Sequence, residues 1–254
     1  MKISILTIFP DFFPPALAEG MIRAAREKQR LEVEVVQLRD FTDDSHRSTD
    51  DYPFGGGVGM IMKIEPIDRA LESLGVGQKG ARPERAQVVL LSPQGRPFTQ
   101  DLAIDFARLH HLVLVCGRYK GVDERVSERL VDDELSLGDF VLSGGEPAAL
   151  CVVDAVARLL PGVVGDSDSV ESDSFHSGLL DAPYYTRPAE YHGWKIPDVL
   201  LSGNHAAIAR HRREEVLRRT FERRPELLQG ADLSPEDLRF VRALEEERRR
   251  AKDA

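Results

Sequence analysis

Residues 112–121 read Leu-Val-Leu-Val-Cys-Gly-Arg-Tyr-Lys-Gly. The apolar run Leu112–Cys116 reads as a strand, and the glycines on either side of Arg118-Tyr119-Lys120 read as a loop whose backbone approaches a ligand closely, because no Cβ stands in the way. Outward from this stretch, strand-like and helix-like signals alternate through the first 160 residues. That is the pattern of an α/β domain with a largely parallel sheet. Expected strands are Lys2–Ile8, Glu32–Leu38, Gln87–Leu91, Leu112–Cys116 and Phe140–Leu142. Helices are expected over Pro15–Gln29, over Pro66–Leu74 closed by Gly75, over Thr99–His110 with Thr99 as its cap, and over Pro147–Leu160 before Pro161-Gly162.

The 254 residues, 42% hydrophobic and 30% charged, suit one large domain or a main domain with an appendage, and exclude a mini-protein that needs staples. No run approaches the roughly 20 apolar residues that span a bilayer. The opening apolar stretch is cut by Pro10, Asp11, Pro14 and Pro15, so neither a signal peptide nor an anchor is read there. Two cysteines, Cys116 and Cys151, are too few for a disulfide scaffold and suit a reducing, cytoplasmic setting. With 34 basic and 43 acidic residues the net charge is −9, which does not advertise nucleic-acid binding by the molecule as a whole. Its distribution does: residues 210–224 carry seven arginines against three glutamates, a local +4.

The composition changes after Gly162. Residues 163–172, Val-Val-Gly-Asp-Ser-Asp-Ser-Val-Glu-Ser, have no periodicity and read as a flexible interdomain linker between a domain over 1–162 and a helical one over 173–254. In the latter, a basic helix is expected over Ala206–Arg224, stopped by Pro225. A last helix follows Ser234-Pro235-Glu236-Asp237, with a capping serine, proline at the first helical position and an acid three residues after the cap. Its Leu238, Val241 and Leu244 would dock it.

In a parallel sheet, ligands bind beyond the carboxyl ends of the strands. Three loops there are unusual: Ser92-Pro93-Gln94-Gly95-Arg96, Gly117–Arg125, and Ser136–Glu146, which reads SLGDFVLSGGE. A backbone-lined pocket is one reading of their glycines, and tight corners the other. Neither G-x-G-x-x-G nor G-x-x-x-x-G-K-[ST] is present, and Phe54–Met60 (FGGGVGM) lacks the lysine and hydroxyl of a phosphate loop. Seven histidines lack metal-ligand spacing; His205 and His211, six apart, fall off a common helix face. Cys116, at a strand end with no histidine near it in sequence, reads as a small buried hydrophobe rather than a nucleophile.

Taken together, the segments SPQGR (92–96), CGRYKGVDERV (116–126), SLGDFVLSGGE (136–146), DSFHSGLLDAPYYTRP (173–188), VLLSGNHAAIARHR (199–212) and DFTDDSHRSTDDYPFGGGVGM (40–60) resemble the bacterial tRNA (guanine-N1-)-methyltransferases of the TrmD type. The resemblance covers nearly the whole chain. It implies a SPOUT-class α/β domain with a deep trefoil knot, a small all-helical carboxyl-terminal domain that binds tRNA, and a homodimer with active sites at the subunit interface. It also implies S-adenosylmethionine as methyl donor, held by Ser92, Pro93, Gly117, Tyr119, Gly121, Leu137, Gly138, Asp139, Phe140, Val141, Leu142, Gly144 and Gly145.

The implied reaction is methylation of N1 of the guanosine at tRNA position 37, 3′ of the anticodon. Because neutral guanine carries a proton on N1, a base is required; by resemblance it is Asp173. An exposed aspartate, with a pKa of about 3.9, is a poor acceptor for so weak an acid. Either desolvation raises it or charge is stabilised elsewhere, a role that fits a guanidinium, Arg158, aimed at O6. Read without the family, Asp173 is an acidic linker residue or a cap, and Arg158, four residues after Asp154, one end of a helical ion pair. The arginine-rich helix is on one reading a solvated face and on the other a grip on tRNA phosphates. Since an N1 edge within a stack is out of reach, the base must be splayed out. His46, Arg47, Asp50, Tyr52, Asn204, His205 and Arg212 are the candidates to hold it.

Two positions depart from the family. Lys120 stands where many members have an acid between the tyrosine and glycine of GRY-x-G, a charge reversal at a place where an acid would help hold magnesium, so magnesium stays a candidate cofactor with no ligand set named. His211 replaces a tryptophan before Arg212. Two rival readings are a knotted ribose 2′-hydroxyl methyltransferase, which would not need the DSF/GLLD segment, and a non-catalytic RNA-binding module, which would not need SLGDFVLSGG.

Overall fold

The computed structural model describes residues 1–165 and 172–253, so most of the expected linker lies outside the described residues. The chain forms two compact units, Met1–Gly165 and Asp166–Ala254.

The first unit is built on five parallel strands: β1 (Lys2–Thr7), β2 (Glu32–Gln37), β3 (Ala86–Pro97), β4 (His111–Cys116) and β5 (Asp133–Ser136), in the spatial order β2-β1-β4-β3-β5. Successive side chains of a strand point to opposite faces. Ile3, Ile5, Val89, Leu91, Leu112 and Leu114 therefore enter one apolar layer, while Leu6, Val88, Leu90, Val113 and Val115 enter the other. With both faces covered, an inner strand can be apolar on both sides, which is why Leu112–Cys116 shows no alternation.

Helices supply the covering. On the first face lie α2 (Gly20–Glu27), α4 (Gln100–Ala107) and α5 (Glu146–Ala157), the last through Ala149, Val152, Val153 and Val156; a short α1 spans Pro14–Leu17. On the other face α3 (Ile64–Ser73) packs through Ile67, Ala70 and Leu71. Thr99 caps α4 by accepting a hydrogen bond from the Leu102 N–H. The helix expected over Pro15–Gln29 is broken: α1 ends before Ala18, and Gly20 holds φ +58°, a left-handed conformation at which a continuous helix cannot run.

The expected strand Phe140–Leu142 is corrected by the structure. The fifth strand is Asp133–Ser136, and Phe140, Val141 and Leu142 are 54%, 83% and 40% exposed on the loop after it. As an edge strand paired only with β3, β5 buries the single large apolar side chain Leu135, so Asp-Glu-Leu-Ser gives little hydrophobic signal. Beyond the main sheet, Ile61–Met62 pairs antiparallel with Asp50–Asp51 and parallel with Gly121–Val122, which ties the loop after β2 to the loop after β4.

In the second unit a two-residue hairpin turn joins Glu190–Tyr191 to Trp194–Lys195. Helices α6 (His205–Arg223) and α7 (Pro235–Asp253) follow, with Leu217 and Thr220 of α6 and Leu244 of α7 buried. Asn204 caps α6 through Oδ1, and Pro225 ends it, since the residue before a proline is driven out of the helical region. Ser234 and Asp237 cap α7 reciprocally: the Asp237 N–H donates to Ser234 Oγ at 3.1 Å, and the Ser234 N–H to Asp237 Oδ2 at 3.0 Å. Among the described residues no helix is long and apolar enough to cross a membrane.

Candidate active site

At the bulge in β3 and the carboxyl ends of β4 and β5, three segments enclose a cavity. The pairing of β3 with β5 supplies the first wall. Leu91 pairs with Leu135, and so does Arg96, so residues 92–95 have no partner on β5 and are extruded; Ser92, Pro93 and Gln94 then line the cavity. Gly95 allows this, because a Cβ there would lie 2.3 Å from the carbonyl carbon of Glu134.

The second and third walls are the loops after β4 and β5, locked to each other. The Gly145 N–H donates to the Gly117 carbonyl at 2.9 Å, and Arg118 and Gly144 form an antiparallel bridge. A Cβ on Gly145 would approach the Cα of Cys116 to 2.8 Å, and one on Gly144 would overlap the Arg118 side chain. Gly145 is therefore required by close approach to backbone, beyond merely turning a corner, whereas at Gly144 a side chain would have to displace the Arg118 side chain. Tyr119 holds a positive φ of 62° and is partly exposed at the rim.

Beneath them lies a charged contact. Glu146, the first residue of α5, is fully buried; its Oε1 accepts from the Thr7 hydroxyl at 2.8 Å and its Oε2 from Arg118 Nε at 3.0 Å. The Arg118 guanidinium also lies 4.5 Å from the centroid of the Phe9 ring. Cys116 is wholly buried at the end of β4, and that burial, reinforced by the Glu146 charge, pushes its thiol well above the ordinary range. A thiol so placed is not poised as a thiolate nucleophile.

Most residues expected to hold a methyl donor line this cavity: Ser92, Pro93, Gly117, Tyr119, Gly121, Leu137, Phe140, Val141, Leu142, Gly144 and Gly145. Gly138 and Asp139 are absent from the lining; Gly138 shapes the loop with φ +146°, its carbonyl accepting from Ser136 Oγ, and Asp139 is exposed. Of the expected nucleotide-holding residues in this unit, His46 and Arg47 sit on an exposed loop where Arg47 pairs with Asp40. Asp50 belongs to the short strand that joins, through Ile61–Met62, the loop carrying Gly121. Tyr52 is 79% exposed beside it. Arg158 is half-buried at the end of α5.

In the second unit, Asp173 is half-buried in a turn whose carbonyl accepts from the His176 N–H at 3.2 Å. That turn is fastened to α6: the Asp181 N–H donates to Ser174 Oγ, and the Leu180 N–H to the hydroxyl of buried Thr220 at 3.1 Å. Asn204 spends Oδ1 on the cap, while His205 and Arg212 are exposed; the Arg212 guanidinium lies 5.7 Å from the centre of the Tyr184 ring.

Arg118, Glu146 and Thr7 were not among the residues expected from sequence. Thr7 ends β1 just as Cys116 ends β4, but nothing local in the sequence ties it to Glu146, 139 residues away. Among the described residues, no three His, Cys, Asp or Glu side chains come together to hold a metal ion, and Lys120 presents a cation at the cavity edge.

A family model described as tRNA (Guanine-1)-methyltransferase TrmD matches residues 1–230. The chain is 54% identical over 244 residues to the tRNA (guanine-N(1)-)-methyltransferase of Symbiobacterium thermophilum, covering 96% of this chain and 98% of that one. It is 52% identical over 241 residues to the enzyme of that name from Moorella thermoacetica, covering 95% of each. To that of Geobacillus kaustophilus it is 48% identical over 248 residues, covering 98% of this chain and all of the other.

Proposed function

Because this chain belongs to the tRNA (guanine-1)-methyltransferase TrmD family, a family of S-adenosylmethionine-dependent enzymes, we propose that it methylates N1 of the guanosine at tRNA position 37, 3′ of the anticodon, in the cytoplasm. The observation that supports this reading is the cavity at the bulge in β3 and the carboxyl ends of β4 and β5, walled by loops whose backbones approach too closely for any residue but glycine at 95 and 145. Such a cradle suits a donor recognised by backbone groups and apolar contact. Bound there, S-adenosylmethionine supplies an electrophilic methyl group.

The chain's own residues do the rest. Asp173 accepts the N1 proton, giving that nitrogen an available lone pair. Arg158 donates to O6 and stabilises the negative charge that develops on the purine as the proton leaves. His46, Arg47, Asp50 and Tyr52 from the first unit, with Asn204, His205 and Arg212 from the second, hold the splayed nucleotide and its phosphates. The homodimer with interface active sites and the trefoil-knotted path belong to the same proposal, as does tRNA binding by the carboxyl-terminal unit, which the short hairpin at Glu190–Lys195 makes mainly helical where an all-helical domain was expected.

Single-turnover methyl transfer to unmodified tRNA tests the assignment. Asp173→Ala is expected to lower the rate by roughly 10³-fold, within the range general-base catalysis supplies, while donor and tRNA affinities stay near wild type. A near-normal rate removes Asp173 as the base. Mass spectrometry of digested product separates methylation of the base from that of the ribose, and S-adenosylmethionine titration exposes a non-catalytic module, which would bind none.

A further inference from the structure

The contact beneath the donor cavity joins three parts of the fold that are distant in sequence. Thr7 ends β1, Arg118 lies in the loop after β4, and Glu146 opens α5 directly after the loop from β5. Glu146 is fully buried, yet both carboxylate oxygens are satisfied, one by the Thr7 hydroxyl at 2.8 Å and one by Arg118 Nε at 3.0 Å. A buried carboxylate with a single basic partner is expensive to keep, and removing either half leaves a charge stranded. The Arg118 side chain is 20% exposed, so the pair runs from the interior to the cavity, whose wall Arg118 helps to form. The same arginine is bracketed by the Phe9 ring and by Gly144, where a Cβ would overlap its side chain.

We infer that Glu146 is a positioning residue for the methyl donor: through Arg118 it fixes the spacing between the loop at Gly117–Gly121 and the loop at Gly144–Gly145, and so the width of the donor cradle. It touches neither donor nor reacting atoms. This rests on reading the cavity as the donor site. Its consequence is specific, because loss of the carboxylate frees Arg118 to turn to solvent and lets the two loops separate, while the bulk of α5 remains packed in the apolar layer through Val152, Val153 and Val156.

The test is calorimetric titration of the full-length protein with S-adenosylmethionine, alongside thermal melting and tRNA binding. Glu146→Gln keeps the shape and removes the charge; its donor Kd is expected to rise about tenfold, with tRNA Kd within about twofold of wild type. Arg118→Lys, at a partly exposed position that opens no core cavity, is expected to shift donor Kd in the same direction and serves where Glu146→Gln fails to fold. The double variant should lose no more than the larger single loss, since both act through one contact. Donor Kd unchanged in both single variants, or fully additive losses, overturns the inference. Gly121→Leu separates this failure from that of the underlying reading: Gly121 lines the cavity with open space at its Cβ position and carries no left-handed φ, so leucine there should block the donor. Donor binding that survives Gly121→Leu removes the cavity as the donor site and the inference with it.

Discussion

Gly95 and Glu134 pack so closely that a Cβ on the glycine would stand 2.3 Å from the carbonyl carbon of Glu134 and 2.5 Å from its carbonyl oxygen. Both atoms are backbone of β5 and cannot rotate away. Gly95→Ala should therefore either push β5 from β3 or abolish their register, costing about 3 kcal/mol or more, at or beyond the upper end of ordinary overpacking. Gly121→Ala, with nothing within 4 Å of its Cβ position, should cost less than about 1 kcal/mol. Denaturant unfolding of the two variants decides the matter; equal stability would mean that the strand pair is not as tight as described.

The second unit depends on one carboxylate. Asp237 accepts from Arg213 Nε at 3.0 Å and Nη2 at 2.8 Å while capping α7 from within. The Arg213 hydrogen bonds, followed by those from Ser234, hold its pKa down at about 2 against an ordinary 3.8. A depressed carboxylate stabilises the folded state fully above its unfolded pKa, and the contribution fades as pH falls from about 4 through about 2. With Asp237 8% exposed but Arg213 39% exposed, the pair's contribution is about 1 to 2 kcal/mol after allowance for solvent screening. Trp194, the chain's only tryptophan, lies in this unit and reports its unfolding. Asp237→Ala should lower the Trp194-monitored midpoint at pH 7, and the gap to wild type should close toward pH 2. A gap that persists in acid would assign the effect to packing.

These two cases show what was legible in the sequence. The reciprocal cap of α7 follows from Ser234-Pro235-Glu236-Asp237 because capping is local, needing only residues three apart. The four well-hydrophobic strands were legible for the same reason. β5 was misplaced onto Phe140–Leu142 because hydrophobicity marks what is buried in a complete structure, and an apolar triplet on a cavity rim gives the same signal as a strand. The glycine-rich loops pointed to the cavity, since glycine density records close backbone approach. The Thr7–Glu146–Arg118 contact was not legible at all: its members are 139 and 28 residues apart, and only the sheet order β1-β4-β3-β5 brings them together.

The arginines of α6 divide into two groups with different expected effects. Arg213 is committed to Asp237, Arg218 pairs with Glu215 and lies over the Phe240 ring, and just past the helix Arg224 pairs with Glu226. Arg210, Arg212 and Arg223 are exposed and Arg219 is half-buried, all without an ion pair among the described residues. If tRNA phosphates lie along this helix, Arg210→Ala and Arg212→Ala should each weaken tRNA binding and reduce the slope of log K against log salt by about one. Arg213→Ala should instead destabilise the unit. Filter binding over a salt series separates the groups; slopes unchanged in both exposed-arginine variants would place the tRNA elsewhere.

The two cysteines provide a probe of whether the cavity floor opens. Cys116 is wholly buried under the Gly145 backbone, and desolvation raises its thiol well above the ordinary range, so both access and ionisation oppose alkylation. Cys151 is exposed on α5. In the native protein, maleimide is therefore expected to label Cys151 within minutes and to leave Cys116 untouched until unfolding, so that mass spectrometry finds one adduct in buffer and two in denaturant. Because Cys116 serves as a packed wall and performs no nucleophilic attack, Cys116→Ser should retain methyl transfer to within about tenfold, the residual loss reflecting a hydroxyl placed among apolar neighbours. Native-state labelling of Cys116 that S-adenosylmethionine suppresses would show instead that the Gly117 and Gly145 loops part in the free enzyme and close on the donor.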